Sequence, residues 1–295
     1  MTQASGAAWR DGLRGRRRRL MMGLATLLGG RARGFFIPHR YAAEARPCAY
    51  PGLEPLFAAS WPAFERVLAA IDELAPALHR LGGPAPVPRF DQDWFPALDG
   101  AAAYAIVSSL RPQRIVEVGS GHSTRFLARA ITDRQLATCL LCIDPAPRAS
   151  LRGLPVRWLE ATLQRAPASC FADLQAGDLL VVDSSHVLMP GSDVDWILNR
   201  ILPGLAPGVF VHLHDVFLPD PYPESWAWRG YNEQQAIGAL LQGGGYALRF
   251  ASRYVATRRP ERLVAGVLAQ LPHGLDGLAS SLWLEKRTRG PAAGR

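Results

Sequence analysis

A chain of 295 residues, 48% hydrophobic and 20% charged, has enough material for one large α/β core or two small ones and the balance of a globular protein. Nothing in it approaches the ~18 consecutive apolar residues that a membrane-spanning helix needs. The formal net charge of +8 invites a nucleic-acid reading, but ten arginines fall within residues 1–46 against Asp11 and Glu44, which leaves the other 249 residues balanced. The excess belongs to the tail and argues for no specific nucleic-acid partner.

Residues 1–33 read as a basic, disordered tail. Arg16–Arg19 followed by Leu20–Leu28 imitates a signal peptide, yet the apolar run is short and no small-x-small cleavage site follows it. A frayed or weakly amphipathic extension fits better, with weak contact to an anionic membrane surface as the alternative. Residues 34–110 read as an N-terminal helical or cap segment. Its first helical stretch, Glu54–Leu81, spaces Leu56, Phe57, Trp61, Phe64, Val67, Leu68 and Ile71 at helical intervals, and a second runs from Asp99 to Leu110.

From 111 to 287 strand and helix alternate, which predicts a doubly wound, mostly parallel seven-stranded sheet. Strands are expected at 114–118, 138–143, 155–159, 179–183 and 209–214, with two later runs at Tyr246–Val255 and Ser280–Glu285. Helices are expected over Asp193–Leu202 and Glu233–Gln242. Residues 288–295 read as a second disordered tail. Cys139-x-x-Cys142 lies within the second strand, where positions three apart face opposite ways, so it reads as two buried core thiols and not a redox pair.

The first strand breaks into Gly119-Ser120-Gly121 and then a helical pattern. That is how a nucleotide-type ligand gains a backbone platform and a helix N-terminus. Glu117-x-Gly119-x-Gly121 resembles the first motif of class I S-adenosylmethionine-dependent methyltransferases. There the acid steadies the loop around the methionine end of the cofactor and the glycines admit its close approach. A dinucleotide fingerprint would prefer a third glycine where this chain has Thr124.

Ligands in open α/β sheets bind beyond the carboxyl ends of the strands. Asp144, ending the second strand, can accept hydrogen bonds from ribose hydroxyls, and Glu160, ending the third, can face an adenine edge. Asp183-Ser-Ser-His186 ends the fourth strand and His212-Leu-His214-Asp215 the fifth. Acids and histidines gathered on neighbouring strand ends allow two roles. His186 or His214 can act as general base on a substrate hydroxyl, oriented by Asp183 or Asp215. Alternatively Asp183 and Asp215, with a histidine, can hold a divalent cation that lowers the hydroxyl pKa, as in catechol-type O-methyltransferases; Val216 stands where that group has an amide ligand. His212 and His214 share a strand face and Asp215 takes the other, so at least one histidine is expected in the core. The loop 217–234 is rich in rings and prolines, and Trp226 and Tyr231 are its candidate walls for an acceptor.

Val118–Thr124, Asp183–His186, Pro190–Asp193, His214–Pro219, Tyr222-Pro223, Trp226 and Tyr231–Glu233 together resemble a bacterial group of class I methyltransferases, the methyltransferase domain 24 family. The resemblance implies a Rossmann-like fold and S-adenosylmethionine bound at Glu117, Gly119, Gly121 and Asp144; Ser120 and His122 of the same turn, and Glu160 at the end of the third strand, join them as candidate cofactor residues. It does not fix the acceptor; the expected reaction is transfer to a hydroxyl of a small-molecule or glycan acceptor, in the cytoplasm where the cofactor is made. The rival readings are an NAD-type oxidoreductase and a catalytically inactive methyltransferase-like binding module.

Overall fold

The computed structural model describes residues 4–28, 33–35, 37–275 and 277–288, with side chains from Gly15 onward. Seven strands form one sheet: β1 (Arg114–Val118), β2 (Cys139–Ile143), β3 (Arg157–Leu159), β4 (Leu179–Val182), β5 (Phe210–Leu213), β6 (Tyr246–Ala251) and β7 (Leu282–Lys286). Their order is β3-β2-β1-β4-β5-β7-β6, with β7 antiparallel to both of its neighbours. β1 and β4 lie centrally, and Ile115, Val116, Val118 and all of Leu179–Val182 are buried, as a parallel sheet covered on both faces requires. The strand order reverses between β1 and β4, so the crevice for a ligand opens beside the turn that follows β1. This is the expected doubly wound class I methyltransferase architecture.

The chain divides into two compact units, one of residues 1–49 and 221–231, the other of 50–220 and 232–295. This differs from the boundaries expected at 33/34 and 110/111. The helices Glu54–Ala59, Trp61–Glu73, Ala75–Leu78 and Ala97–Leu110 belong with the sheet. Phe64, Leu68 and Ile71 form one buried helical face, and the Phe64 ring lies 6.0 Å from Phe250 of β6 and 5.9 Å from Tyr254. The helix Ala97–Leu110 is buried continuously from Ala97 to Ser108 because alanines let it approach the neighbouring helix His122–Asp133.

Other expectations change in detail. Residues 4–27 of the supposed disordered tail are a helix; of the C-terminal tail, only Thr288 lies within the described residues. The run 246–255 leaves the sheet after Ala251 and becomes the helix Ser252–Arg258. The stretch 193–204 is helical throughout but widens to a π-helical turn over Ile197–Ile201, just before Pro203. Cys142 is buried, whereas Cys139 is exposed at the start of β2, so only one of the two thiols belongs to the core.

Phe64→Ala should therefore cost the sheet domain ~3–5 kcal/mol, as for any fully buried aromatic, within a single urea transition. A separate early transition that alone absorbs the loss would show that residues 50–81 fold apart from the sheet.

Candidate active site

The turn after β1 is built from the inside. Glu117 is fully buried and its carboxylate accepts from Ser123 Oγ at 2.7 Å, Thr124 Oγ1 at 2.6 Å and Cys142 Sγ at 3.4 Å. Thr124 Oγ1 in turn accepts the Gly121 N–H at 2.9 Å, so one acid fixes the turn and the first residues of the helix together. Burial pushes the Glu117 pKa up to about 7, although these donors favour its charged form.

Gly119 has φ +79° and packs so closely on the end of β4 that a Cβ would stand 1.9 Å from the Asp183 carbonyl oxygen. Only glycine satisfies both constraints. Gly121 differs, since a Cβ there meets nothing nearer than 3.6 Å. Asp144, just beyond β2, accepts from Ser120 N–H (2.7 Å) and Ser120 Oγ (3.1 Å) on one oxygen and from Ala146 N–H (2.7 Å) on the other. Oδ1, with one donor, keeps a lone pair for a further donor. His122, half-buried at the helix start, has its pKa lowered to about 4 by burial and by Arg125, Arg89 and Arg148. Glu160 is exposed at the tip of the edge strand β3.

Beyond β4 and β5 lies a cluster of four carboxylates and two imidazoles. Asp215 has φ +57° and His186 φ +60°, left-handed conformations that fold both side chains inward. Regular strand alternation would have sent Asp215 to the face opposite His214. The strand stops at Leu213, and both residues reach the same cluster.

His186 is 2% exposed. Its Nδ1 meets Glu233 Oε1 at 2.5 Å, while Nε2 lies 3.2 Å from Asp183 Oδ1 and 3.4 Å from Asp215 Oδ2. His214 lies with Nε2 3.4 Å from Asp99 Oδ2 and Nδ1 3.4 Å from Asp183 Oδ1 and 3.5 Å from Asp215 Oδ1. Burial alone would lower both imidazole pKa values. For His186 the charge of Glu233 with Asp183 and Asp215, and for His214 that of Asp215, Asp183 and Asp99, outweigh burial and hold each well above its usual value. Burial likewise pushes Asp183 up, and His214 and His186 reverse it to well below the ordinary range. The side chain of Asp183 is 25% exposed, against 10% or less for the other five members.

His186 and His214, either of which was expected as a general base oriented by Asp183 or Asp215, are both enclosed among carboxylates that favour the charged imidazole, and Asp183 is the member of the cluster that faces outward. His212 is the core histidine of the pair on β5: its Nε2 bonds Ser281 Oγ at 2.8 Å, its ring lies 4.4 Å from Trp283, and burial lowers its pKa to about 3. Asp183, His186 and Asp215 each bring one ligand atom within 4.8 Å of the others, a set that could hold a metal ion and in which His186 stands as the histidine beside the two acids.

Two members of the cluster escaped sequence reasoning. Asp99 accepts from Ser252 Oγ and from the N–H groups of Ser280 (2.9 Å) and Ser281 (3.1 Å). It is the one acid in an otherwise apolar helix, a signal that was available. Glu233 stands inside a quoted motif, but nothing local marks it as the partner of a residue 47 positions earlier. Trp226 and Tyr231 belong to the other unit, where their rings pack edge to face 5.9 Å apart and Arg229 lies 4.3 Å over Trp226.

Residues 116–216 match the family model for a methyltransferase domain. Comparison with curated proteins gives no match. Among solved structures the chain is similar to a candidate O-methyltransferase of Klebsiella pneumoniae, at 18% identity and TM-score 0.41 over 75% of this chain and 90% of that one. It is similar to the S-adenosylhomocysteine-bound methyltransferase PaMTH1 of Podospora anserina, at 14% identity and TM-score 0.41 over 86% and 100% of the two chains. A third is the O-methyltransferase TomG of Streptomyces achromogenes, involved in tomaymycin synthesis and solved with S-adenosylmethionine, at 16% identity and TM-score 0.38 over 75% and 90%.

Gly119→Ala should destabilise the protein by more than the ~1–2 kcal/mol of the backbone conformation alone, read from thermal unfolding. Glu117 gives a pH signature. Its folded pKa lies above the unfolded one, so from about 4.5 to about 7 the folded state binds the extra proton and stability falls as pH rises. Glu117→Gln should remove that slope, at most about 1.4 kcal/mol per pH unit, in denaturant titrations across this range.

Proposed function

We propose that this chain, a class I S-adenosylmethionine-dependent methyltransferase by its strand order and by the match over residues 116–216, transfers the methyl group to a hydroxyl oxygen of a small-molecule or glycan acceptor in the cytoplasm. One observation carries the reading. Asp183, the most accessible acid of the cluster, lies in contact with the glycine turn through its own backbone, so an acceptor that reaches it also reaches the cofactor crevice.

The residues present suit the cofactor. Gly119 brings main chain close, and Asp144 keeps acceptor capacity toward a ribose. When bound, S-adenosylmethionine supplies a methyl group on a positively charged sulfur. Asp183 accepts the O–H of the acceptor and leaves an oxygen lone pair free for the new bond. An oxygen that gains a methyl group becomes far more acidic, so even a carboxylate held low by two imidazolium ions can take its proton. His186 and His214 keep Asp183 anionic, and Glu233 and Asp99 anchor the two rings. Within their own unit, Trp226 and Tyr231 offer flat ring faces of the kind sugars and aromatic acceptors stack on.

The convergence of Asp183, His186 and Asp215 favours a second reading, in which they hold a divalent cation. The cation would lower the acceptor hydroxyl pKa without a base.

A labelled-methyl screen across glycan and metabolite extracts should yield base-stable O-methyl products. Heat with NAD and none with S-adenosylmethionine or S-adenosylhomocysteine in calorimetry would replace the reading with an oxidoreductase. Asp183→Asn should lower kcat by ~100-fold or more while cofactor Kd stays nearly constant. Turnover should survive dialysis against EDTA; loss that magnesium restores would establish the cation reading.

A further inference from the structure

The unit formed by residues 1–49 and 221–231 carries a surface that methyl transfer does not use. Its helix, Ala4–Leu27, packs on the short helical turn Glu224–Arg229. Gly15 is buried there, so close to the Trp228 indole that a Cβ would stand 2.9 Å from the ring. At 100° per residue, Gly15, Met22 and Thr26 lie on one side, flanked by Gly23 and Ala25, and all but Gly15 are half-buried. Apart from Met22, small residues make the docked face.

The large apolar residues point the other way. Leu20, Met21, Leu24, Leu27 and Leu28 follow the spacing i, i+1, i+4, i+7, i+8, which gathers them into one stripe about 120° wide. Each is between 42% and 80% exposed. This reverses the usual arrangement, in which a helix turns its leucines toward its own domain. Arg16, Arg17, Arg18 and Arg19, all exposed, ring the helix just before the stripe.

We propose that this helix lies in the surface of an anionic phospholipid bilayer, its leucine stripe in the acyl boundary and its arginines on lipid phosphates. Charge selects this occupant over a second copy of the chain. From Ala4 to Leu28 there are six arginines against Asp11, so pairing two stripes would bring two strongly cationic helices together. A membrane supplies the opposite charge and the apolar phase at once, and arginine stems can run along the boundary while their heads stay wet. No described helix is long and apolar enough to cross the bilayer, so the attachment is peripheral.

The test is co-sedimentation of the full chain with vesicles of phosphatidylcholine alone and of phosphatidylcholine mixed with phosphatidylglycerol. Binding should require the anionic lipid and weaken steeply with salt. Replacing Arg16–Arg19 together by glutamine should lower the partition coefficient by on the order of 100-fold or more. Leu24→Glu combined with Leu27→Glu should abolish binding with thermal unfolding unchanged, because both side chains are exposed. Equal binding to neutral vesicles, or none to anionic ones, overturns the proposal. So does a concentration-dependent dimer in analytical ultracentrifugation that the same double substitution converts to monomer, since the stripe would then belong to a second copy. None of these readouts depends on the acceptor or on methyl transfer.

Discussion

Four carboxylates and two imidazoles share one largely dry volume, and much of the sheet domain is arranged to keep them there. Asp99 comes from the helix before β1, Asp183 and His186 follow β4, His214 and Asp215 follow β5, and Glu233 opens the helix before β6. Removing such groups from water is expensive unless each charge has opposite charge and hydrogen bonds around it. Each imidazole accordingly meets three acids, and Asp99 takes two backbone N–H groups and a serine hydroxyl besides. The cluster ties together segments more than 180 residues apart in sequence, such as Asp99 and Ser281.

This pairing decides the division of roles. An imidazole whose two nitrogens face carboxylates is favoured in its charged form, and once both nitrogens carry a proton it has no lone pair left for a proton from a substrate. Under the proposed function, the accessible acid is then the group that would meet the acceptor, and the two imidazoles favour its charged form. Two of the five described non-glycine residues with positive φ, His186 and Asp215, belong to the cluster, which is consistent with a site that imposes its geometry on the backbone there.

The first four strands were legible from the chain because each is a short run ended by Gly or an acid, a pattern that depends only on near neighbours. Glu117, Gly119 and Asp144 were legible for the same reason, each lying beside the turn it serves. What local reasoning missed depends on distance or on a single dihedral. Glu233 acquires its meaning from His186, and Asp99 from His214 and β7. Asp215 joins His214 because one residue leaves the strand conformation, which alternation rules do not foresee. The compact units divide the chain at other places for a related reason: the amphipathic helix Trp61–Glu73 looks self-sufficient in sequence, but its apolar face packs on β6.

The glycine turn and the acid cluster are one mechanical unit. The Asp183 N–H donates to the Val118 carbonyl at 2.9 Å, and the Asp183 carbonyl fills the space where Gly119 lacks a side chain. The main chain that would cradle the cofactor thus touches the main chain that carries the outward-facing acid. A shift of the turn moves Asp183, and a shift of Asp183 loads the turn. Rates of group transfer fall steeply with small errors in the separation of the reacting atoms. Backbone contact between two central strands sets that separation more firmly than side chains on opposed loops can, because it is fixed by the hydrogen-bond register of β1 and β4. The glycine at position 119 is needed for this contact as much as for any ligand.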